Sequence, residues 1–190
     1  TGPGVLRVFG GSGDGRLLSP PLATLATRTP ALSGLSPASD DVDGDGHADL
    51  VGGVLTGGGL FVARGNGVGG WIGTWEVATG SVSSAVALAR LNADALPDLI
   101  GSNLLQDTLS VRLGRNGLPP AAPTPSEVAT GTQPGGVASG DLDGDGHLDL
   151  VVCNGAGSSV TVLRGRGDGT FLPGITVPVG GGPTGIVVAD

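Results

Sequence analysis

The chain has 190 residues, long enough to bury a core, and carries a net charge of −8 with no lysine among its nine cations. That balance makes nucleic acid and anionic membranes poor partners, and no apolar run is long enough to cross a bilayer, so no membrane insertion is expected. Gly 39 and Pro 14 together exceed a quarter of the chain, a level that accompanies disorder unless the sequence has a period.

Near the start, Val5-Leu6-Arg7-Val8-Phe9 alternates like a strand and runs into a turn at Gly10-Gly11-Ser12-Gly13-Asp14-Gly15. The next feature is acidic: Asp41, Asp43, Asp45 and Asp49 stand at positions one, three, five and nine of a loop, with Gly44 and Gly46 between them and His47 at position seven. Four carboxylates so close repel one another unless a cation sits among them. Hard oxygen donors without a thiolate suit calcium, which accepts six to eight oxygens in flexible geometry, better than magnesium. The expected ligands are the side chains of Asp41, Asp43 and Asp45, the backbone carbonyl of His47 and the carboxylate of Asp49. The imidazole is expected to face solvent.

Strand-like segments follow at Asp49 to Val51, at Leu60 to Arg64 before the turn Gly65-Asn66-Gly67, at Thr74 to Ala78 and at Val86 to Ala89. A degenerate copy of the loop then runs from Arg90 to Asp98. Asn92, Asp94 and Asp98 keep positions three, five and nine, Arg90 replaces the first acid, and both glycines have become Ala93 and Ala95. The expectation for this copy is that the Arg90 guanidinium takes the place of the ion by pairing with Asp94 or Asp98. Asp98 to Ile100 and Leu109 to Leu113 continue as strands, and prolines at 119, 120, 123 and 125 mark a looser connection.

The complete loop returns at Asp141, Asp143, Asp145, His147 and Asp149, between the strand-like Val137 to Gly140 and Asp149 to Val152. An EF-hand would need Glu at position twelve and flanking helices, whereas position twelve here is Val152. Ser159 to Leu163 alternates and enters the turn Arg164 to Thr170, and Ile175 to Val179 reads as another strand. Gly185 to Ala189 matches Gly136 to Gly140, which makes Asp190 position one of a fourth copy.

The loops start 49, 51 and 49 residues apart, and four short strands at a period near fifty describe one blade of a β-propeller. No segment keeps a helical apolar period, so an all-β fold is expected. Residues 1–40 then form a partial blade, and 41–89, 90–140 and 141–189 form repeats phased on the loop. In this phasing the chain begins at a third strand and ends at a first. The absence of methionine suggests a processed start from which any signal peptide has been removed.

The D-x-D-G-D-G-x-x-D loop between first and second strands, with a G-x-G-D-G turn after the third, resembles the FG-GAP/VCBS repeat. Such repeats build the propellers of integrin α-subunits, of some secreted lectins, and of accessory domains on bacterial surface proteins and polysaccharide-degrading enzymes. The resemblance implies a ring, commonly of seven blades, with calcium in the complete loops, in a secreted or cell-surface protein. It also implies a non-catalytic scaffold for adhesion or for a protein or glycan ligand. A lectin with sites between blades, or the propeller part of a polysaccharide-active enzyme, is the alternative. Closure of the ring by self-association is a further possibility that the sequence leaves open.

Other residues have plainer readings. No Ser/His/acid or Cys/His grouping occurs, and carboxylates saturated by calcium have no lone pair for acid–base work, so no catalytic residue is assigned. Arg166-Gly167-Asp168 is a blade turn rather than a recognition tripeptide, because the same place in other copies reads Ser12-Gly13-Asp14 and Asn66-Gly67-Val68. Trp71 is expected in the core, Trp75 in blade packing with sugar stacking as the other reading, and Cys153 as a buried inert thiol.

Overall fold

Short runs of valine, leucine and isoleucine, each closed by glycine, asparagine or proline, suit strands that are brief and buried on both faces. In the computed structural model, which describes residues 5–9, 16, 23–26, 37–54, 58–80, 82–117, 119–121 and 127–189, these runs form fourteen strands. Among the described residues there is no helix, and therefore none long and apolar enough to cross a membrane.

β1 (Val5–Val8) pairs antiparallel with β2 (Ala23–Ala26). Three antiparallel four-stranded sheets follow in chain order. Blade I contains β3 (Ala38–Asp40), β4 (Asp49–Gly53), β5 (Leu60–Gly65) and β6 (Trp71–Val77). Blade II contains β7 (Ser83–Ala89), β8 (Asp98–Asn103), β9 (Thr108–Arg112) and β10 (Glu127–Ala129). Blade III contains β11 (Pro134–Gly140), β12 (Asp149–Asn154), β13 (Ser159–Leu163) and β14 (Ile175–Pro178).

The sheets are stacked face to face. β7 packs beside β3 and β4, and β11 beside β7 and β8, so that the first strands of successive blades are neighbours, as in a propeller. One core cluster joins blades I and II through Val42, Val51, Leu60, Val62, Val77 and Leu99. A second joins blades II and III through Ile100, Leu109, Val111, Leu150, Val152 and Leu163. Every residue of β8 and β12 is buried, whereas β14 at the far edge is exposed throughout. The strand expectations hold in all three blades: Val86 to Ala89 and Val137 to Gly140 lie in β7 and β11, and the segments starting at Thr74 and Ile175 lie in β6 and β14, each to within a residue of its expected end.

One strand expectation fails. Residues 183–189 form no ladder, because no described strand lies alongside to accept their hydrogen bonds. The segment still lies over β11: a Cβ placed on Gly136 would lie 2.9 Å from the Thr184 carbonyl oxygen, and one on Gly140 would lie 2.7 Å from the Val188 side chain. The turn at 10–15, the prolines at 123 and 125, and Asp190 lie outside the described residues.

Candidate metal centre

Each complete loop links the first strand of its blade to the second. Gly44 and Gly46 have φ of 75° and 86°, Gly144 and Gly146 of 79° and 87°, a region that strains any residue with a Cβ. This curvature turns backbone N–H groups inward onto the first acid. Asp41 accepts hydrogen bonds from the N–H groups of Gly44 (2.8 Å), Asp45 (3.1 Å) and Gly46 (2.8 Å). Asp141 accepts from Gly144 (2.8 Å) and Gly146 (2.9 Å). These N–H groups, Gly146 first, hold the Asp141 carboxyl below its ordinary proton affinity.

The ninth residue has a second task. Asp49 accepts the N–H of Val42 at 3.0 Å and that of Gly65 at 2.9 Å, which ties the loop's start to the end of β5. Asp149 does the same with Leu142 (3.0 Å) and Gly165 (2.8 Å). Burial pushes the Asp49 carboxyl up, more than its two hydrogen bonds pull it down. A cation beside it would favour the ionised form.

The structure brings together carboxylate oxygens of Asp41, Asp43 and Asp49 within 4.8 Å of one another, and likewise those of Asp141, Asp143 and Asp149. Three hard oxygen donors of one charge at that spacing fit a divalent ion of the calcium type. Asp45 and Asp145 stand outside these groups, each accepting the N–H of the histidine two residues on. His47 and His147 are exposed, with one ring edge against Gly67 and Gly167, so their candidate contribution remains the backbone carbonyl.

A further residue joins the first loop. Arg64 on β5 donates from Nε to Asp43 Oδ2 at 2.6 Å, and Asp43 is fully buried. In the other loop, Arg164 Nη1 stands 3.6 Å from Asp143 Oδ2. Neither arginine stands out in its local sequence, Arg64 within β5 and Arg164 just after β13. The signal that would have found them is their common offset of 21 residues from the aspartate.

The degenerate loop differs from expectation. Arg90 pairs with neither Asp94 nor Asp98. It donates to the Ala95 carbonyl oxygen at 3.0 Å and reaches Asp40 of blade I at 3.3 Å. Asp98 is already engaged, accepting the N–H groups of Leu91 (2.7 Å) and Gly114 (2.9 Å), and burial holds its carboxyl above the ordinary range. Asp94 accepts the N–H of Leu96 and the amide of Asn92. Ala93 and Ala95 do not take the positive φ of the glycines they replace. The position-nine aspartate therefore carries the same backbone hydrogen bonds here, where positions one and three hold no acid.

The turns after the third strands of blades II and III dock on the loop of the preceding blade: Gly117 N–H donates to Asp43 O at 2.7 Å, and Gly169 N–H to Leu91 O at 3.0 Å. This docking buries Val42 completely, whereas its counterpart Leu142, with no such turn over it among the described residues, is 45% exposed. Arg166-Gly167-Asp168 belongs to the docked turn, where Asp168 accepts from the Thr170 N–H (2.9 Å) and hydroxyl (2.6 Å). Trp71 packs on Val54, Phe61 and Ala63, although its Nε1 is buried without a partner. Trp75 is half-buried against the core cluster between blades I and II, with the Arg64 guanidinium 4.7 Å from its ring centroid. Cys153 is buried, and burial pushes its thiol up.

Sequence reasoning missed a polar layer at the other end of the second strands. Asn103 Nδ2 donates to Thr108, Ser110 and Glu127, and Asn154 Nδ2 to Ser159 and Thr161, all within 3.0 Å. It also missed a cleft of about 560 Å³ between β10 and the turn of blade III, lined by Glu127, Arg166, Asp168, Thr170, Phe171 and Leu172. The signal for the layer was the asparagine that ends both apolar runs.

Comparisons with known proteins agree with this architecture. Among curated protein sequences nothing matches. A lectin of Agrocybe aegerita, described as specifically recognising non-reducing terminal N-acetylglucosamine, has a similar fold with a TM-score of 0.52 and 22% sequence identity. The similarity covers 75% of this chain and 38% of that one, so this chain spans well under half of the lectin's length. The model of the FG-GAP-like repeat matches residues 41–101 and 141–190, more than half of the sequence, and includes both complete loops. On these matches and on its stacked four-stranded blades, the chain belongs to the FG-GAP-like repeat family and is a β-propeller of that family.

Proposed function

We propose that this chain is a calcium-held, ligand-binding propeller that works outside the cell and binds rather than catalyses. The observation that carries the reading is the pair of loops in which three carboxylates converge within 4.8 Å. Asp41, Asp43 and Asp49 would hold one ion and Asp141, Asp143 and Asp149 the other, with Asp45, Asp145 and the carbonyls of His47 and His147 completing the oxygen shell. A calcium concentration 100 times the dissociation constant would add about 2.7 kcal/mol per site. The millimolar calcium outside cells reaches that ratio far more readily than cytosolic calcium does. The carboxylates themselves are engaged by backbone N–H groups, which favours structure over acid–base work.

Two observations favour a glycan as the ligand. One is the cleft between blades II and III, where Phe171 and Leu172 provide apolar surface beside Arg166, Asp168 and Thr170. The other is the structural likeness to a lectin. A glycan array in millimolar calcium is the test. The reading expects reproducible binding to a defined group of sugars, weakened at least tenfold by Arg166→Ala and abolished by chelator. A blank array, with binding to a cell-surface protein instead, would reverse the assignment of ligand class.

A further inference from the structure

Blade II supplies an internal comparison for the two acidic loops. Position three of the loop is Asp43 in blade I and Asp143 in blade III, but Asn92 in blade II. The residue 21 positions on is Arg64 in blade I and Arg164 in blade III, but Leu113 in blade II. The carboxylate and the arginine are thus both present or both absent. Register explains why they meet: each arginine directly precedes the glycine whose N–H binds the position-nine aspartate, Gly65 or Gly165, and the same place in blade II is Leu113 before Gly114.

We infer that Arg64 and Arg164 are the resident counter-cations of the two loops, displaced from Asp43 and Asp143 when a divalent ion enters. Metal uptake is then an exchange of one cation for another. This rests on the calcium reading above. A buried carboxylate without a counter-charge is costly, and Asp43 is fully buried with Arg64 2.6 Å away, so the empty loop keeps its fold through this pair. The same carboxylate lies within 4.8 Å of Asp41 and Asp49, so an ion held by all three would stand beside the guanidinium and repel it. Arg64 has a second seat on the face of Trp75, which continues to favour its charge after Asp43 is taken.

The two loops should differ in how hard they are to fill. Arg164 is half exposed and 3.6 Å from its aspartate, and Ile175 stands where blade I has Trp75, since Val62 pairs with Trp75 and Val162 with Ile175. The weaker pair yields first, so loop III takes calcium before loop I.

The test is calorimetric titration with calcium in an Asp143→Ala background, which leaves loop I to report alone. Adding Arg64→Leu removes the competing charge and should tighten binding by about tenfold. It should also remove the calcium-induced change in tryptophan emission, which the parent shows as the guanidinium shifts over Trp75. Unchanged or weaker affinity after Arg64→Leu overturns the inference. If Arg64→Leu does not fold, Arg164→Leu in an Asp43→Ala background asks the same question at an exposed side chain. There the gain should be about threefold, as expected for a partly solvated pair, and no gain overturns the inference equally. Wild-type protein that takes up no calcium would remove the calcium reading itself, a different result from calcium binding that ignores the arginine.

Discussion

Asp98→Ala is expected to cost about 3–5 kcal/mol of folding free energy, in calcium and in chelator alike. Asp98 is fully buried, and its two oxygens accept the N–H groups of Leu91 and Gly114. Alanine leaves both donors buried without a partner, at about 1–3 kcal/mol each, and adds a small cavity. The loop around Asp98 lacks the acidic trio, so no ion compensates or complicates the loss. Urea unfolding should show a lower midpoint by the same amount with or without calcium. Asp94→Ala, at an exposed position four residues earlier, should change stability by no more than about 0.5 kcal/mol. If Asp98→Ala unfolds at the wild-type midpoint, the position-nine aspartate is not the tie between loop and third strand.

Gly165→Ala is expected to be comparably damaging, at about 3 kcal/mol or more, for a steric reason. Its backbone dihedral is ordinary, yet an added Cβ would collide with the carbonyl oxygen of Leu148. Gly65 meets Ala48 O in the same way, and Gly114 meets Pro97 O at 2.6 Å. All three glycines donate the N–H that the position-nine aspartate accepts, so the close approach and the hydrogen bond form one device. The obstacle is main chain and cannot rotate away. Gly73→Ala, inside β6 with nothing near its would-be Cβ, is the control and should be neutral or slightly stabilising. Equal melting temperatures for the two variants would show that the third strand does not need this approach.

The period, the strands and the position of the loops were legible because each is a local pattern. An apolar run closed by glycine marks β5 and an alternating one marks β13, and the spacing of Asp141, Asp143, Asp145 and Asp149 marks a loop without reference to anything outside it. What sequence could not show is set by register and by neighbouring blades. Arg64 meets Asp43 only because β5 returns past the loop. Arg90 was expected to pair within its own loop, but its partner Asp40 lies 50 residues away on the adjacent sheet. Asp49 and Asp43 look alike in sequence, yet one binds backbone N–H groups with both oxygens and the other faces an arginine. Residues 183–189 follow the pattern of β11, but a strand needs a partner as well as a pattern.

These distinctions sort the loop aspartates by role. Asp49, Asp98 and Asp149 fasten the loop in all three blades, and the acids at positions one and three, present only in blades I and III, are those an ion would need. The sorting is checked most directly by calorimetric calcium titration of the wild-type chain beside Asp43→Ala, Asp143→Ala and Asp94→Ala. The account predicts two ions for the wild type, one for each of the first two variants and two for the third. No uptake at millimolar calcium, or two ions still bound after Asp43→Ala and after Asp143→Ala, would contradict it.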